Sequence, residues 1–135
     1  MIEATLAFRL LKASKAGRPA IWPVLAEVGL HPGQDLLLSR LWESDGIAQS
    51  ELIARIGVEP PTVTKALQRL ERAGYLRREP GPGRTRTVHL TEAGRALQAP
   101  VEQAWQEADA LIRSRLSDAD AAQLAELLSR IIDLD

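Results

Sequence analysis

The stretch from Glu59 to Gly74 limits the fold of this chain more than any other. Pro60 and Pro61 lack a backbone N–H and clash with a preceding helical turn, so a helix accepts them only in its first turn. Gly74 offers the left-handed conformation at which helices commonly stop. A helix is therefore predicted over about residues 60–73, with Glu59 as its N-cap. At 100° per residue, Val63, Ala66, Leu67 and Leu70 fall on one face, and Pro61, Lys65, Gln68, Arg69 and Arg72 on the other. One side of this helix is core, and the other is basic.

The other prolines and glycines divide the chain into further short elements. Ile2, Leu6, Leu10 and Ala13 recur at three- and four-residue steps and predict an amphipathic helix; a second covers residues 19–28, with Pro23 as a kink. Another opens at His31, Pro32, Gly33 and Gln34, with Pro32 at its first position and Gln34 where a capping-box side chain sits, ahead of Leu36, Leu37, Leu38, Leu41 and Trp42. The next runs over residues 49–56 and ends at Gly57. Beyond Gly74 the period shortens: residues 75–79 and 84–90 read as strands of a hairpin joined through Pro80, Gly81, Pro82 and Gly83. Thr91 caps a helix with Leu97, Val101, Ala104, Ala108, Leu111 and Arg115 on one stripe, which Pro100 breaks or bends. Ser117 and Asp120 have capping-box spacing and open a last helix with Ala121, Leu124, Leu128, Ile131 and Leu134 on one side.

At 135 residues, with 45% apolar and 26% charged side chains, the chain has the size and composition of one ordinary globular domain. It contains no cysteine, which excludes disulfides, thiolate metal sites, cysteine nucleophiles and thiol redox sensing. His31 and His89 lie far apart in sequence, and neither a metal site nor a cofactor is expected. Glu102, Glu107 and Asp109 read as a solvated helix face, and no nucleophile, base and orienter fall together, so the chain does not read as an enzyme. No apolar run approaches the roughly 20 residues that span a bilayer, and Met1 to Ala4 lack the basic residues of a secretory signal, so a cytoplasmic protein without a membrane partner is expected.

The formal net charge of −1 hides a gradient. Residues 1–47 carry five basic and five acidic side chains, residues 48–95 nine against five, and residues 96–135 three against eight. The basic block coincides with the helix over 60–73 and with the hairpin. Two short helices joined by a tight turn, the second basic on its free face and followed by a two-stranded ribbon, outline a winged helix-turn-helix. Thr62, Thr64, Lys65 and Gln68 stand in the first two turns, where short polar and long basic side chains read base edges. Arg69, Arg72, Arg84 and Arg86 are placed for phosphates or a minor groove, and Arg84 and Arg86, two apart on a strand, point the same way. The competing expectation is that one of the wing arginines pairs with an acid such as Glu79 and braces the hairpin.

Several pieces, Gly29 to Gln34, Glu51 to Ala54, Thr62 to Lys65, Leu70 to Tyr75 and Val88 to Gly94, together resemble the multiple antibiotic resistance regulator (MarR) family. Their order and spacing carry the resemblance, which runs from about Leu6 to the C-terminus and is strongest over residues 47–97. It implies a mainly α-helical fold with a small β-wing, divided as an N-terminal dimerisation region (1–30), a winged helix-turn-helix (31–95) and C-terminal dimerisation helices (96–135) in one continuous domain. It also implies a homodimeric transcription regulator, a repressor rather than an activator. Such a regulator binds double-stranded DNA at pseudo-palindromic operators and is often released by a small aromatic or anionic effector. Trp22, Trp42 and Trp105 lie on the segments that border the family's effector pocket.

The chain departs from the family pattern at three places. Pro61 stands where a serine or similar polar residue is usual, although its position at the head of the helix keeps it in the predicted DNA face. Pro82, Gly83 and Arg84 replace the common Asp-x-Arg of the wing, leaving the arginine without its orienting carboxylate. Ala48 takes the place of a hydroxyl N-cap, at a cost of about 1 kcal/mol. The rival functions are a winged-helix module that binds protein and not DNA, and a small helical enzyme; the basic excess over residues 48–95 argues against both.

Overall fold

The computed structural model describes residues 1–132, so Leu134 of the last predicted stripe lies outside the described residues. In chain order the helices are α1 (Leu6–Ala13), α2 (Arg18–Glu27) and α3 (Gln34–Glu43); strand β1 (Ile47–Ala48) leads into α4 (Gln49–Ile56) and α5 (Pro60–Arg72). Strands β2 (Leu76–Pro80) and β3 (Arg86–Leu90) follow, then α6 (Glu92–Ala96), α7 (Gln98–Arg113) and α8 (Asp118–Ile132). The chain forms two compact units: Val24–Glu102 is one, and Met1–Pro23 with the chain from Gln103 onward is the other.

In the first unit the double proline opens α5 as the sequence requires, and Gly74 follows the helix with φ +87°. Leu38 and Leu41 of α3, Leu52 of α4, Leu67 and Leu70 of α5, and Leu76, Val88 and Leu90 of the strands form its core. The sheet is antiparallel in the order β1-β3-β2, with Leu76 opposite Leu90, Arg78 opposite Val88 and Pro80 opposite Arg86. Strand β1 was not expected. It pairs Ile47 with Val88 and holds the head of α4, where Ala48 supplies no side-chain cap.

The structure corrects three local expectations and bears out a fourth, the break expected from Pro100. The predicted first helix divides, because Thr5 is extended and its hydroxyl accepts the Phe8 N–H at 3.1 Å; residues Ile2–Ala4 form a separate 3-10 turn. Pro32 precedes α3 and does not begin it: Gly33, at φ +100°, is the N-cap, and Gln34 reaches back to accept the His31 N–H at 2.9 Å. The helix after Thr91 breaks at Leu97 into α6 and α7, since Pro100 has no N–H to give the carbonyl four residues earlier. Arg84 lies in the hairpin tip, outside β3, so it does not share a strand face with Arg86.

In the second unit Ala104 and Ala108 of α7 and Ala121 of α8 are buried, and Gly17 approaches Ala108 so closely that an added Cβ would stand 3.1 Å from the alanine's. Leu6, Leu11, Leu111, Leu124 and Ile131 are exposed. Among the described residues no helix is long and apolar enough to cross a membrane.

Gly94 is the tightest point of the wing's base. A Cβ there would run into the Tyr75 carbonyl oxygen, and the Gly94 carbonyl itself accepts the Trp42 indole N–H at 3.0 Å. Thr91 caps α6 through the Gly94 N–H and also donates its hydroxyl to the Gly74 carbonyl at 2.6 Å. Gly94→Ala should therefore destabilise the fold by about 3 kcal/mol or more, by forcing α6 from the strand. Chemical denaturation measures the loss; a cost below about 1 kcal/mol would show that α6 slides aside freely.

Candidate nucleic-acid interface

Helix α5 is oriented by its apolar face. Val63, Leu67 and Leu70 are buried, which turns Pro61, Thr62, Lys65, Gln68, Arg69 and Arg72 outward, all of them exposed. Thr64 differs from that group: it is half-buried, and its hydroxyl donates to the Pro60 carbonyl at 3.0 Å within its own helix. Glu59, the predicted N-cap, makes no side-chain capping bond.

The hairpin follows from strand alternation. Leu76, Arg78, Pro80, Arg86, Val88 and Leu90 share one face, and Arg77, Glu79, Thr87 and His89 the other. On the second face Arg77 bonds Glu79 at 2.9 Å, and His89 Nε2 lies 3.4 Å from Glu79 and 2.8 Å from the Thr87 hydroxyl. Glu79 thus pairs with Arg77 and His89, not with Arg84 or Arg86. At the tip the Thr85 hydroxyl donates to the Pro82 carbonyl at 2.6 Å and the Gly81 N–H to the Thr85 carbonyl at 2.8 Å. These two bonds close a tip that lacks the family's carboxylate.

Two carboxylates that sequence reasoning missed hold this surface together. Glu71, in the last turn of α5, accepts the Arg78 backbone N–H and its guanidinium, each at 3.0 Å. These bonds, the guanidinium's foremost, hold its pKa below the ordinary 4.5 although partial burial works against them. Asp45 accepts the Leu90 N–H at 2.8 Å and pairs with Arg95 at 2.7 Å. Burial opposes its charge, but those donors outweigh burial and lower its pKa. Glu71 stands seven residues from its partner and Asp45 forty-five, across a turn or a sheet, so no local spacing announces either contact.

The charge pattern then sorts itself. Of the nine cations over residues 48–95, Arg55, Arg77, Arg78 and Arg95 have acid partners. Lys65, Arg69, Arg72, Arg84 and Arg86 have no ion pair among the described residues, and all five stand on α5 or on the distal half of the hairpin. A cavity of about 300 Å³ lies beside two of them, Lys65 and Arg69 of α5, and is lined further by His31, Gln34 and Leu37 near the start of α3 and Ile56 at the end of α4.

The tryptophans divide by role. Trp42 is half-buried and its indole N–H is committed to Gly94, a packing role. Trp22 is 43% exposed, with the Arg18 guanidinium stacked 4.4 Å from its ring, and Trp105 is equally exposed.

The MarR family model matches residues 30–88, the segment that holds α3, α4, α5 and most of the wing. Over nearly the full length the chain is 28% identical to the HTH-type transcriptional repressor Rv2887 of Mycobacterium tuberculosis, the alignment covering 96% of this chain and 94% of that one. The chain belongs to the MarR family. The crystal structure of transcriptional regulator PA4135 superposes with a TM-score of 0.79 at 28% identity, covering 97% of this chain and 98% of that one. The MarR family protein Rv2887 in complex with DNA superposes at 0.72 with 27% identity, covering 95% and 98%. This MarR-family transcriptional regulator keeps the mainly helical winged fold of its relatives.

The Glu71–Arg78 contact predicts a pH dependence. Because the folded-state pKa of Glu71 lies below 4.5, the pair's stabilisation is complete above that value and disappears as pH falls through the folded pKa. The difference in thermal midpoint between the unaltered chain and Glu71→Gln should stay constant from neutral pH down to about 5 and shrink below it. A difference that instead grew with acid would contradict the contact.

Proposed function

We propose that this regulator is a cytoplasmic, homodimeric DNA-binding repressor of pseudo-palindromic operators, released by a small aromatic or anionic effector. The observation that carries the reading is the set of five unpaired cations on α5 and the wing. Elsewhere in the basic block arginines meet acids; here phosphates are the partners that complete them. Pro61, Thr62, Thr64, Lys65 and Gln68 face the bases from the head of α5, and Arg69, Arg72, Arg84 and Arg86 neutralise phosphates or enter the minor groove. Thr64 takes part with its hydroxyl oxygen as an acceptor, since the proton is directed to Pro60.

Dimerisation is supported by the exposed apolar side chains of the unit that holds α1 and α8, Leu6 at 77% and Ile131 at 63% among them. An effector is supported by the exposed rings of Trp22 and Trp105 and by the cavity at α5, with Trp42 offering its ring alone. An anion in that cavity would engage Lys65 and Arg69 and withhold them from DNA, which is a differential affinity of the kind release requires.

A mobility-shift assay on fragmented genomic DNA should recover an inverted repeat with half-site centres about 10 bp apart. The logarithm of the affinity should fall against the logarithm of salt concentration with a slope of about −5 to −9. A slope near zero on every fragment would favour the protein-binding module. Lys65→Ala should cost about 1–3 kcal/mol on the operator and less on scrambled DNA, whereas equal losses on both would reduce Lys65 to a phosphate contact.

A further inference from the structure

Among the described residues a single ion pair joins the hairpin to α5. Helix α5 runs into β2 through the short turn Ala73 to Tyr75, and a hairpin held only by such a turn and its base would leave its tip free to swing. Glu71 bridges that joint with both carboxylate oxygens: Oε2 takes the Arg78 backbone N–H and Oε1 the guanidinium. Since β2 lies at the edge of the sheet, its Arg78 N–H has no neighbouring strand, and the helix carboxylate takes that strand's place. One contact to the backbone and one to the side chain fix the strand's position along α5 as well as its tilt. The Arg78 side chain is 11% exposed, so its geometry is not loosened by solvent. Arg86 shares the strand face of Arg78, the side on which Glu71 stands, while the Arg77, Glu79 and His89 group occupies the opposite face and joins no helix. Among the described residues no other ion pair joins α5 to the hairpin.

We propose that Glu71 is a positioning residue for DNA recognition: through Arg78 it locks the wing to α5, so that Arg84 and Arg86 stand at one set spacing from Lys65, Arg69 and Arg72. The proposal rests on the DNA-binding reading above. Glu71 touches no nucleic acid in this scheme. It makes the wing's contacts and the helix's contacts available in the same pose, so that the wing adds to affinity without an ordering cost at each encounter.

The test is a set of double-mutant cycles on the operator fragment recovered by the shift assay, read by fluorescence anisotropy with the full chain. Glu71→Gln retains the side chain's size but replaces one acceptor by a donor, and should bind about tenfold more weakly. Arg84→Ala should cost about tenfold in the unaltered chain and less than about threefold in the Glu71→Gln background, because an unlocked wing has little contact left to lose. Lys65→Ala should cost the same in both. Arg78→Lys, which keeps the backbone bond and the charge but not the guanidinium, should fall between the unaltered chain and Glu71→Gln, and serves if the glutamine variant folds poorly. Native affinity in Glu71→Gln, or an Arg84→Ala cost that is the same in both backgrounds, overturns the lock. A Lys65→Ala cost that vanishes together with that of Arg84 also overturns it, since it would mean general loosening of the unit. Failure of the unaltered chain to bind any fragment is a separate result: it overturns the DNA-binding reading itself.

Discussion

The burial of Val63, Leu67 and Leu70 is the interaction on which the basic surface depends. Each is worth about 1.5–3 kcal/mol of removal from water, while an exposed cation on the far side of the helix costs little because it stays hydrated. The apolar stripe therefore decides how α5 is rotated, and the cations face outward as a consequence. Pro60 and Pro61 set where the helix starts, and the starting point sets which residues occupy its first two turns. The base of the wing is then pinned from several directions, by the Tyr75 hydroxyl donating to the Val28 carbonyl at 2.6 Å, by Asp45 on Leu90 and by the close seat of Gly94.

What was legible in the sequence was what neighbours within a few residues determine. The limits of α4 and the start of α5 follow from Gly57, Pro60, Pro61 and the apolar period, and the structure reproduces them. Strand β1 escaped because two residues carry no period and its strand partners, Thr87 and Val88, are about forty residues away. Strand β2 was displaced by one residue at both ends: Tyr75 belongs to the turn after α5, and Pro80, which cannot donate a hydrogen bond, still serves as the last residue of an edge strand. Arg84 was read onto a strand because the loop's true closure, through Thr85, depends on a hydroxyl that no turn rule weights strongly. Trp42 carried no sign that its indole N–H would be taken by Gly94, a bond spanning fifty-two residues.

The charges tell a consistent story across levels. Two acids near the basic block hold backbone and arginines in place, Glu71 on β2 and Asp45 on β3 and α6, and are thereby removed from competition with a polyanion. The segment beyond residue 95, with eight acids against three bases, carries the opposite sign. A chain whose formal net charge is −1 can in this way have a local field that favours DNA without adhering to polyanions everywhere.

Amide hydrogen exchange, followed with and without a saturating operator fragment, reads out which elements the DNA covers. Added protection is expected to concentrate in α5, from Thr62 through Arg72, and in the hairpin from Gly81 to Arg86, with α1 and α8 unchanged. Protection centred on α1 or α8, with α5 and the hairpin exchanging as in the free protein, would contradict that expectation.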